Sequence, residues 1–213
     1  TTCLIGRPLQ ADLEQLTKVP AVLANDANCF ALAEARLGAG RGAECVFGVI
    51  LGTGVGGGVV LDGRARHGCQ GIAGEWGHNV VDSGGDPCYC GRRGCVETFL
   101  CGPSLESYYA QLSGQRLPLS QILARRQAGD DPHAEATTQR LLTYFGRSLA
   151  QVINILDPDV VVLGGGVSNA ELLYQEGVEQ VARWVFNDRL HTRIVRNQLG
   201  DSAGVFGAAM LVA

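Results

Sequence analysis

The chain has 213 residues, of which 46% are apolar and 18% are charged, and it contains 30 glycines. Its formal net charge of −4 argues against a nucleic-acid-binding groove, because such a groove needs a basic stripe. No apolar run reaches the roughly 18 residues of a membrane span, and no signal peptide is recognisable. We therefore expect a cytoplasmic protein with neither membrane nor nucleic acid as partner, in a reducing compartment where disulfides are rare.

The first part of the chain predicts two helices. Apolar residues at helical spacing between positions 9 and 16 predict a short helix, and residues 19–23 predict a strand. Residues 27–37 predict an amphipathic helix that Gly38 ends, with Asp26 at its start. Asp favours the N-cap position, so helix capping is one possible role for Asp26.

A glycine-rich hairpin follows. Residues 46–51 and 59–61 predict two strands, and the glycine run 52–58 lies between them. The Asp62-Gly63 pair predicts a tight turn after the second strand. Residues 64–100 show little periodicity, which is unusual for so long a segment unless something such as a metal ion organises it.

The second half of the chain alternates helices and strands. The predicted elements are a helix over 133–156, a buried strand over 159–163, a strand over 193–195 and a small-residue helix over 204–212. Ser168 and Glu171 have the spacing of a capping box, which predicts a helix that starts there. Together with the earlier hairpin, this alternation predicts a mixed α/β fold.

A cluster of cysteines predicts a metal site. Three of them fall within eight residues: Cys88, Cys90 and Cys95. Gly91 and Gly94 permit the tight turn that such ligands need, and zinc prefers four ligands. His78, ten residues upstream of the cluster, is the best fourth ligand, ahead of Cys69. A redox pair would more often use C-x-x-C spacing, and unconnected thiols are the remaining alternative.

Two glycine segments predict nucleotide binding. Residues 52–57 match the dinucleotide fingerprint G-x-G-x-x-G, but a strand follows them instead of a helix, so that assignment fails. Backbone N–H groups of this hairpin and the Thr53 hydroxyl can bind phosphate oxygens, although a flexible hairpin tip is an alternative. Residues 164–166 lie between a strand and a predicted helix N-terminus, an arrangement that suits a nucleotide.

Five segments in combination resemble the ROK family of bacterial sugar kinases and repressors. They are Asn25-Asp26-Ala27-Asn28, Leu51–Gly58, Gly74-Glu75-Trp76-Gly77-His78, Cys88–Glu97 and Val162–Ser168. The resemblance runs along the whole chain. The Glu-Trp-Gly-His and Cys-Tyr-Cys-Gly forms look most like the fructokinase/mannokinase branch, with N-acetylglucosamine kinase and glucokinase as alternatives.

The resemblance implies an actin-like (ribonuclease H-like) ATPase fold and transfer of a phosphoryl group from ATP, with Mg²⁺, to a hexose hydroxyl. It implies that Asp26 is the catalytic base and that the sugar is bound by Asn25, Glu75, His78 and Glu97. His78 would also hold a structural zinc ion with Cys88, Cys90 and Cys95. The implied phosphate-binding residues are Gly52, Thr53, Gly54, Val55, Gly56, Gly57, Gly58 and Val59, and the adenosine-side residues are Gly164, Gly165 and Gly166.

The Asp-x-Gly-Gly-Thr phosphate loop of the family's N-terminal lobe has no match in the sequence. We therefore expect the chain to be the C-terminal part of a kinase. We separately expect a homodimer. Residues 1–37 would be the end of the N-terminal lobe with the interdomain helix. Residues 38–203 would be the large domain, including a zinc loop at 78–95 and an adenosine-side loop at 164–166. Residues 204–213 would be a helix that returns toward the N-terminal lobe.

Two other functions fit parts of the sequence. ROK repressors share this half of the family pattern and bind sugars without phosphorylating them. A zinc-stabilised structural module would explain the cysteines, but it would leave Asn25-Asp26 and both glycine segments without a role. A kinase accounts for all of these features.

Overall fold

The computed structural model describes residues 6–212, so residues 1–5 and 213 of the predicted terminal segments lie outside it. The α-helices are Leu9–Thr17 (α1), Asp26–Leu37 (α2), Glu97–Leu100 (α3), Gly102–Ser113 (α4), Leu119–Ala128 (α5), Pro132–Leu156 (α6), Glu176–Ala182 (α7) and Ala203–Ala209 (α8). The strands are Cys45–Leu51 (β1), Val55–Leu61 (β2), Arg64–Ala65 (β3), Val160–Gly164 (β4) and Arg193–Arg196 (β5). Among these helices, none has the length and hydropathy to cross a membrane.

The strands form one mixed sheet in the order β3-β2-β1-β4-β5. β1 and β2 form an antiparallel hairpin in which Leu51 pairs with Val55. β4 lies parallel to β1, and β5 lies parallel to β4. A parallel pair needs a crossover connection, and α6 supplies it before β4, as the sequence predicted.

Helices cover both faces of the sheet, because successive strand side chains point in opposite directions. Phe47, Val49 and Leu51 of β1 pack in the same core cluster as Leu141 and Phe145 of α6. On the opposite face, Val46 packs with Phe30 and Ala31 of α2. The central strands are therefore nearly continuous apolar runs, which is typical of a sheet buried on both faces.

Two paired glycines bring α2 close to the sheet. Gly48 of β1 pairs with Gly58 of β2. A Cβ atom on Gly48 would lie 2.6 Å from the Ala31 Cβ, and one on Gly58 would lie 2.6 Å from the Ala27 carbonyl oxygen. Both glycines therefore serve packing, and the close approach holds the N-terminal end of α2 beside the β1–β2 turn.

The C-terminal helix α8 packs against the other side of α2. A Cβ atom on Gly207 would collide with the Cys29 carbonyl oxygen, so glycine is required at this contact. Glu34 of α2 is fully buried, and its carboxylate accepts hydrogen bonds from the backbone N–H groups of Gln198 and Leu199 at 2.8–3.2 Å. The segment before α8 is thereby tied to α2.

Three sequence predictions are wrong in their local structure. Residues 19–23 form no strand, because no described segment pairs with them, and Val19, Val22 and Leu23 are largely exposed. The second hairpin strand starts at Val55, so only residues 52–54 form the turn. The helix predicted at Ser168 is a pair of single 3₁₀ turns, and the following α-helix starts at Glu176. The helices predicted over 9–16, 27–37 and 133–156 are confirmed.

Candidate functional site

Two cavities open side by side at the β1–β2 turn. The first, of about 510 Å³, is lined by residues 52–56 of the turn and the start of β2. It is also lined by Asn25, Asp26, Glu75, His78, Tyr89 and Glu97. The second, of about 680 Å³, shares Gly52 and Thr53 with the first. Two molecules bound in these cavities would therefore meet at Gly52 and Thr53.

The N-terminal end of α2 places Asn25 and Asp26 at the first cavity. The N-cap is Asn25, whose Oδ1 accepts hydrogen bonds from the backbone N–H groups of Ala27 (2.8 Å) and Asn28 (3.3 Å). Asp26 is the first helical residue, so the capping role considered for it is wrong. Its Oδ1 accepts from Ala27 N–H at 2.9 Å, and none of the described residues donates to its Oδ2. Asp26 therefore offers one oxygen to a ligand, and Asn25 offers its side-chain amide N–H₂.

The β1–β2 turn presents backbone groups to both cavities. The Gly52 N–H donates to the Gly54 carbonyl (2.9 Å), and the Gly52 carbonyl accepts from the Gly102 N–H (2.9 Å), so the turn is held from both sides. Thr53 is exposed at its tip. Of the eight residues predicted to bind phosphate, Gly52–Gly56 line the first cavity.

The remaining three residues of that segment, Gly57, Gly58 and Val59, lie within β2 and outside the lining of either cavity. A Cβ atom on Gly57 would lie 2.7 Å from the Gly74 carbonyl oxygen, so this glycine serves close packing as Gly58 does. Val59 packs against the core. These residues pair with β1 and therefore lie away from the turn.

The second glycine segment contributes one residue to a cavity. Gly164 ends β4, and a Cβ atom there would lie 2.6 Å from the Phe30 ring. Gly165 has φ +85°, and a Cβ atom would collide with the Leu51 carbonyl oxygen. Gly166 lines the second cavity and has open space at its Cβ position. Ser168, predicted to cap a helix, instead donates to the Gly165 carbonyl at 2.6 Å and fixes the turn.

Residues that were not predicted from the sequence form the far wall of the second cavity. They are Gly102, Pro103 and Glu106 of α4, and Pro118, Leu119, Ser120 and Leu123 at and within α5. Glu106 accepts a hydrogen bond from the Leu119 N–H at 2.9 Å and joins the two helices. The wall is mainly apolar, whereas the opposite side presents the backbone of the two glycine turns.

The cysteine loop brings the four predicted metal ligands together. The ligand atoms of His78, Cys88, Cys90 and Cys95 all lie within 4.8 Å of one another. The Cys90 and Cys95 sulfurs are 3.6 Å apart, and His78 Nδ1 is 3.5 Å from the Cys88 sulfur. Tetrahedral zinc with its usual bond lengths separates two sulfurs by about 3.8 Å and a sulfur from a nitrogen by about 3.6 Å. The donor set and its spacing therefore fit zinc, whereas Cys69 lies outside the cluster.

The loop is also shaped by glycines and by contacts with α6. Gly91 has φ +88° and Gly94 has φ +65°, which confirms the tight turns predicted there. The Tyr144 hydroxyl donates to Asp82 at 2.6 Å, and this hydrogen bond lowers the pKa of Asp82. Arg140 forms an ion pair with Asp86 at 3.0 Å.

The thiols of the cluster differ in acidity. A backbone hydrogen bond from Arg92 lowers the pKa of Cys90 to about 7, whereas burial raises the pKa of Cys95 to about 12. Zinc binds the thiolate form of cysteine. Binding of the ion would therefore release a proton from Cys95 at neutral pH.

Both ends of the cysteine loop are attached to β2. The Trp76 indole N–H donates to the Gly56 carbonyl at 2.9 Å, and Glu97 Oε2 accepts from the Val55 N–H at 3.0 Å. Exposed Glu75 and half-buried Glu97 then face the first cavity together with His78. Tyr89 also lines this cavity, a residue that sequence reasoning missed although it lies between Cys88 and Cys90.

Comparison with known proteins identifies the family. The family model described as "ROK family" matches residues 4–213. The chain belongs to the ROK family. An N-acetyl-D-glucosamine kinase of Yersinia pseudotuberculosis is 40% identical over 97% of this chain and 71% of its own length.

Solved ROK structures have the same fold. A ROK hexokinase from Thermus thermophilus superposes with a TM-score of 0.88 at 38% identity, over 95% of this chain and 68% of its own. A Streptomyces griseus ROK glucokinase in complex with glucose and AMPPNP superposes with a TM-score of 0.83 at 33% identity, over 96% of this chain and 72% of its own. A ROK transcriptional regulator, a homologue of the E. coli MLC protein, superposes with a TM-score of 0.82 at 28% identity, over 95% of this chain and 54% of its own. The predicted actin-like ATPase fold is thereby confirmed.

Proposed function

We propose that this chain carries the sugar site and most of the nucleotide site of an ATP-dependent hexose kinase. The observation that carries the proposal is the junction of the two cavities at Gly52 and Thr53, with the Asp26 carboxylate lining the first cavity. A sugar in the first cavity and a nucleotide in the second would place an acceptor hydroxyl beside the terminal phosphate. Positioning of this kind supplies most of the catalysis in phosphoryl transfer.

Asp26 is proposed as the general base. Asp26 lines the cavity, and its second carboxylate oxygen has no hydrogen-bond donor among the described residues, so this oxygen can accept the proton of a sugar hydroxyl within about 3 Å. Asn25, Glu75, His78 and Glu97 would hold the other hydroxyls. Three carboxylates in one cavity suit a neutral polyol, because its hydroxyl groups are hydrogen-bond donors.

The second cavity is proposed to hold ATP. The apolar residues Pro118, Leu119 and Leu123 offer a surface for the base, while the backbone N–H groups of Thr53 and Gly166 and the Thr53 hydroxyl can donate to the phosphates. Mg²⁺ would enter with the phosphates and is bound mainly by phosphate oxygens and water. Gly165 supports this site indirectly, by allowing the turn that presents Gly166.

The cysteine cluster is proposed to hold a structural zinc ion. His78, Cys88, Cys90 and Cys95 supply four ligands, which is a closed set without a position for substrate. The ion would fix His78 and, through the chain following Cys95, Glu97 at the edge of the sugar cavity. Zinc thus orders the sugar site and takes no part in the phosphoryl transfer.

The division of the chain is also a proposal. Residues 1–37 and 204–213 would belong with an N-terminal lobe, and residues 38–203 would form the large domain. The packing of α8 on α2 through Gly207 supports the grouping of the two terminal segments. The largely exposed apolar residues Val19, Val22 and Phe206 suit a surface that such a lobe covers.

Two observations bear on the identity of the acceptor sugar, and they favour different sugars. The Glu-Trp-Gly-His and Cys-Tyr-Cys-Gly motifs predict a fructokinase or mannokinase, and this stays a prediction. The 40% identical relative is an N-acetyl-D-glucosamine kinase, and a glucokinase is 33% identical. We infer N-acetylglucosamine or glucose as the first acceptors to test.

The experiment is an ATP-dependent phosphorylation assay of the full-length protein with N-acetylglucosamine, glucose, fructose and mannose. We expect one hexose to be phosphorylated and the Asp26→Asn variant to lose about 10²- to 10⁴-fold in kcat. Asn25 remains the N-cap, so this variant should melt like the wild type. Sugar binding without turnover would instead favour a sugar-sensing regulator, the class of the 28% identical neighbour. Full activity of Asp26→Asn would exclude the base mechanism.

A further inference from the structure

Tyr89 is the one Phe, Tyr or Trp side chain among the described residues that line the first cavity. It lies on the turn between two cysteines of the zinc-type cluster, and its side chain is 83% exposed. Large apolar rings at such exposure contribute little to folding. The side chain is therefore accessible to a ligand in the cavity.

The Tyr89 hydroxyl is oriented by His78. Its oxygen lies 3.0 Å from His78 Nε2, and the two rings meet edge to face with centroids 5.1 Å apart. His78 Nδ1 faces the Cys88 sulfur at 3.5 Å, on the cluster side. When Nδ1 is a metal ligand, the ring hydrogen is on Nε2, so His78 donates and the Tyr89 oxygen accepts. The phenolic hydrogen of Tyr89 then remains available for another acceptor.

The first cavity has few side-chain hydrogen-bond donors for a sugar. Asp26, Glu75 and Glu97 are acceptors when ionised, and no Lys or Arg of the described chain lines the cavity. A sugar hydroxyl both donates and accepts, so the carboxylates satisfy only half of its hydrogen bonding. With the His78 N–H directed at Tyr89, the side-chain donors left for a sugar are Asn25, Thr53 and Tyr89, apart from backbone groups.

We propose that Tyr89 is a sugar-binding residue, whose hydroxyl receives a hydrogen bond from His78 and donates one to a hexose hydroxyl. The inference rests on the proposed function, because it assigns a residue to the same sugar cavity. It also refines the role proposed for His78, which would act on the sugar through the Tyr89 hydroxyl, and it makes the cysteine loop part of the specificity of the site. Binding of a sugar would replace water at the phenol.

The test is Tyr89→Phe in the full-length protein, which removes the hydroxyl and keeps the ring. We expect the Kd for the hexose that the wild type binds best, measured by calorimetry over N-acetylglucosamine, glucose, fructose and mannose, to rise about 2- to 12-fold. The KM for ATP, the zinc content and the melting temperature should not change. The matched control is Tyr108→Phe, since the Tyr108 ring stacks on Arg140 and does not line the cavity.

Each outcome decides the question. Weaker sugar binding by Tyr89→Phe, with an unchanged melting temperature and an unchanged zinc content, supports the proposal. Unchanged sugar affinity overturns it and leaves the kinase proposal intact, and loss of zinc or a lower melting temperature overturns it by assigning Tyr89 to loop stability. If the wild type binds none of the four sugars, the proposed function is overturned and this inference with it.

Discussion

The carboxylate of Glu97 accepts a hydrogen bond from the backbone N–H of Val55 at 3.0 Å, and so joins the end of the cysteine loop to the start of β2. Val55 is buried and follows the turn shared by the two cavities. Glu97 also lines the first cavity, the proposed sugar site. One side chain therefore contacts both the proposed sugar site and the segment that presents the proposed phosphate site.

Two substitutions separate these roles of Glu97. Gln keeps an oxygen that can accept from the Val55 N–H but lacks a carboxylate for the sugar, whereas Ala removes both. We expect Glu97→Gln to raise the KM for the sugar with little change in the free energy of unfolding. Glu97→Ala should raise the KM in the same way and should also lower the free energy of unfolding by about 1–3 kcal/mol, because it leaves a buried N–H unpaired. Denaturant unfolding and sugar kinetics measure the two effects, and equal stabilities of the variants would contradict this division.

The zinc proposal predicts about one zinc ion per chain by elemental analysis. Cys95→Ser should lose the ion and raise the KM for the sugar, because His78 and Glu97 are then held less firmly. Hydrogen exchange should speed up over residues 78–97, since metal binding supplies folding free energy to such loops. Contacts of Asp82 and Asp86 with α6 should keep the segment attached.

The matched control for the zinc experiment is Cys69→Ser. Cys69 is an exposed thiol outside the cluster, so this variant should keep the ion, the sugar KM and the exchange pattern. A metal-free protein with unchanged sugar binding and unchanged exchange would exclude the structural role of zinc.

A pH-dependent contribution to stability is expected from Asp131, the N-cap of α6. Its carboxylate accepts from the Tyr109 hydroxyl (2.6 Å), from the backbone N–H groups of Ala134 and His133, and from Arg125. These bonds, that from Tyr109 first, lower the pKa of Asp131 from 3.8 to about 2. A carboxyl group whose pKa is lowered by folding stabilises the folded protein at pH values above its pKa in the unfolded chain. This stabilisation is lost as the pH falls through the pKa of the group in the folded protein.

We therefore expect the stabilisation by Asp131 to be complete above about pH 5 and to be lost progressively as the pH falls to about pH 1. Asp131→Asn retains a good N-cap but lacks the charge, so it isolates this contribution. The difference in melting temperature between wild type and variant, measured against pH, should shrink over this window. A constant difference would show that the charge of Asp131 is not involved.

Much of the site could be predicted from the sequence, because its motifs carry side chains of distinctive chemistry. Asp26, Glu75, His78 and Glu97 do line one cavity, and the three cysteines do gather around His78. Asn25 and Asp26, however, are adjacent and equally good caps, so the sequence could not tell which of them would cap α2. Only the backbone conformation at Asn25 decides it.

The glycines and the far wall of the second cavity, the proposed nucleotide site, show why the rest could not be predicted. A glycine that permits close packing, such as Gly58, looks the same in sequence as one that faces a ligand, such as Gly166. The wall formed by α4 and α5 uses ordinary apolar residues, which carry no motif. Its location depends on the packing of α4 and α5 against α6, a tertiary property.

The two glycines of the second turn give the sharpest test of the nucleotide site. Gly166 has open space at its Cβ position and lines the cavity, so Gly166→Val should fold normally and fill space that ATP needs. We expect the KM for ATP to rise about tenfold, in line with the 1–3 kcal/mol typical of overpacking, and sugar binding to be unchanged. Gly165→Ala introduces a side chain at φ +85° that collides with the Leu51 carbonyl. It should instead cost at least about 1 kcal/mol of stability. Nucleotide titration and thermal melts of both variants measure the contrast. An unchanged ATP affinity in a normally folded Gly166→Val protein would move the nucleotide out of this cavity.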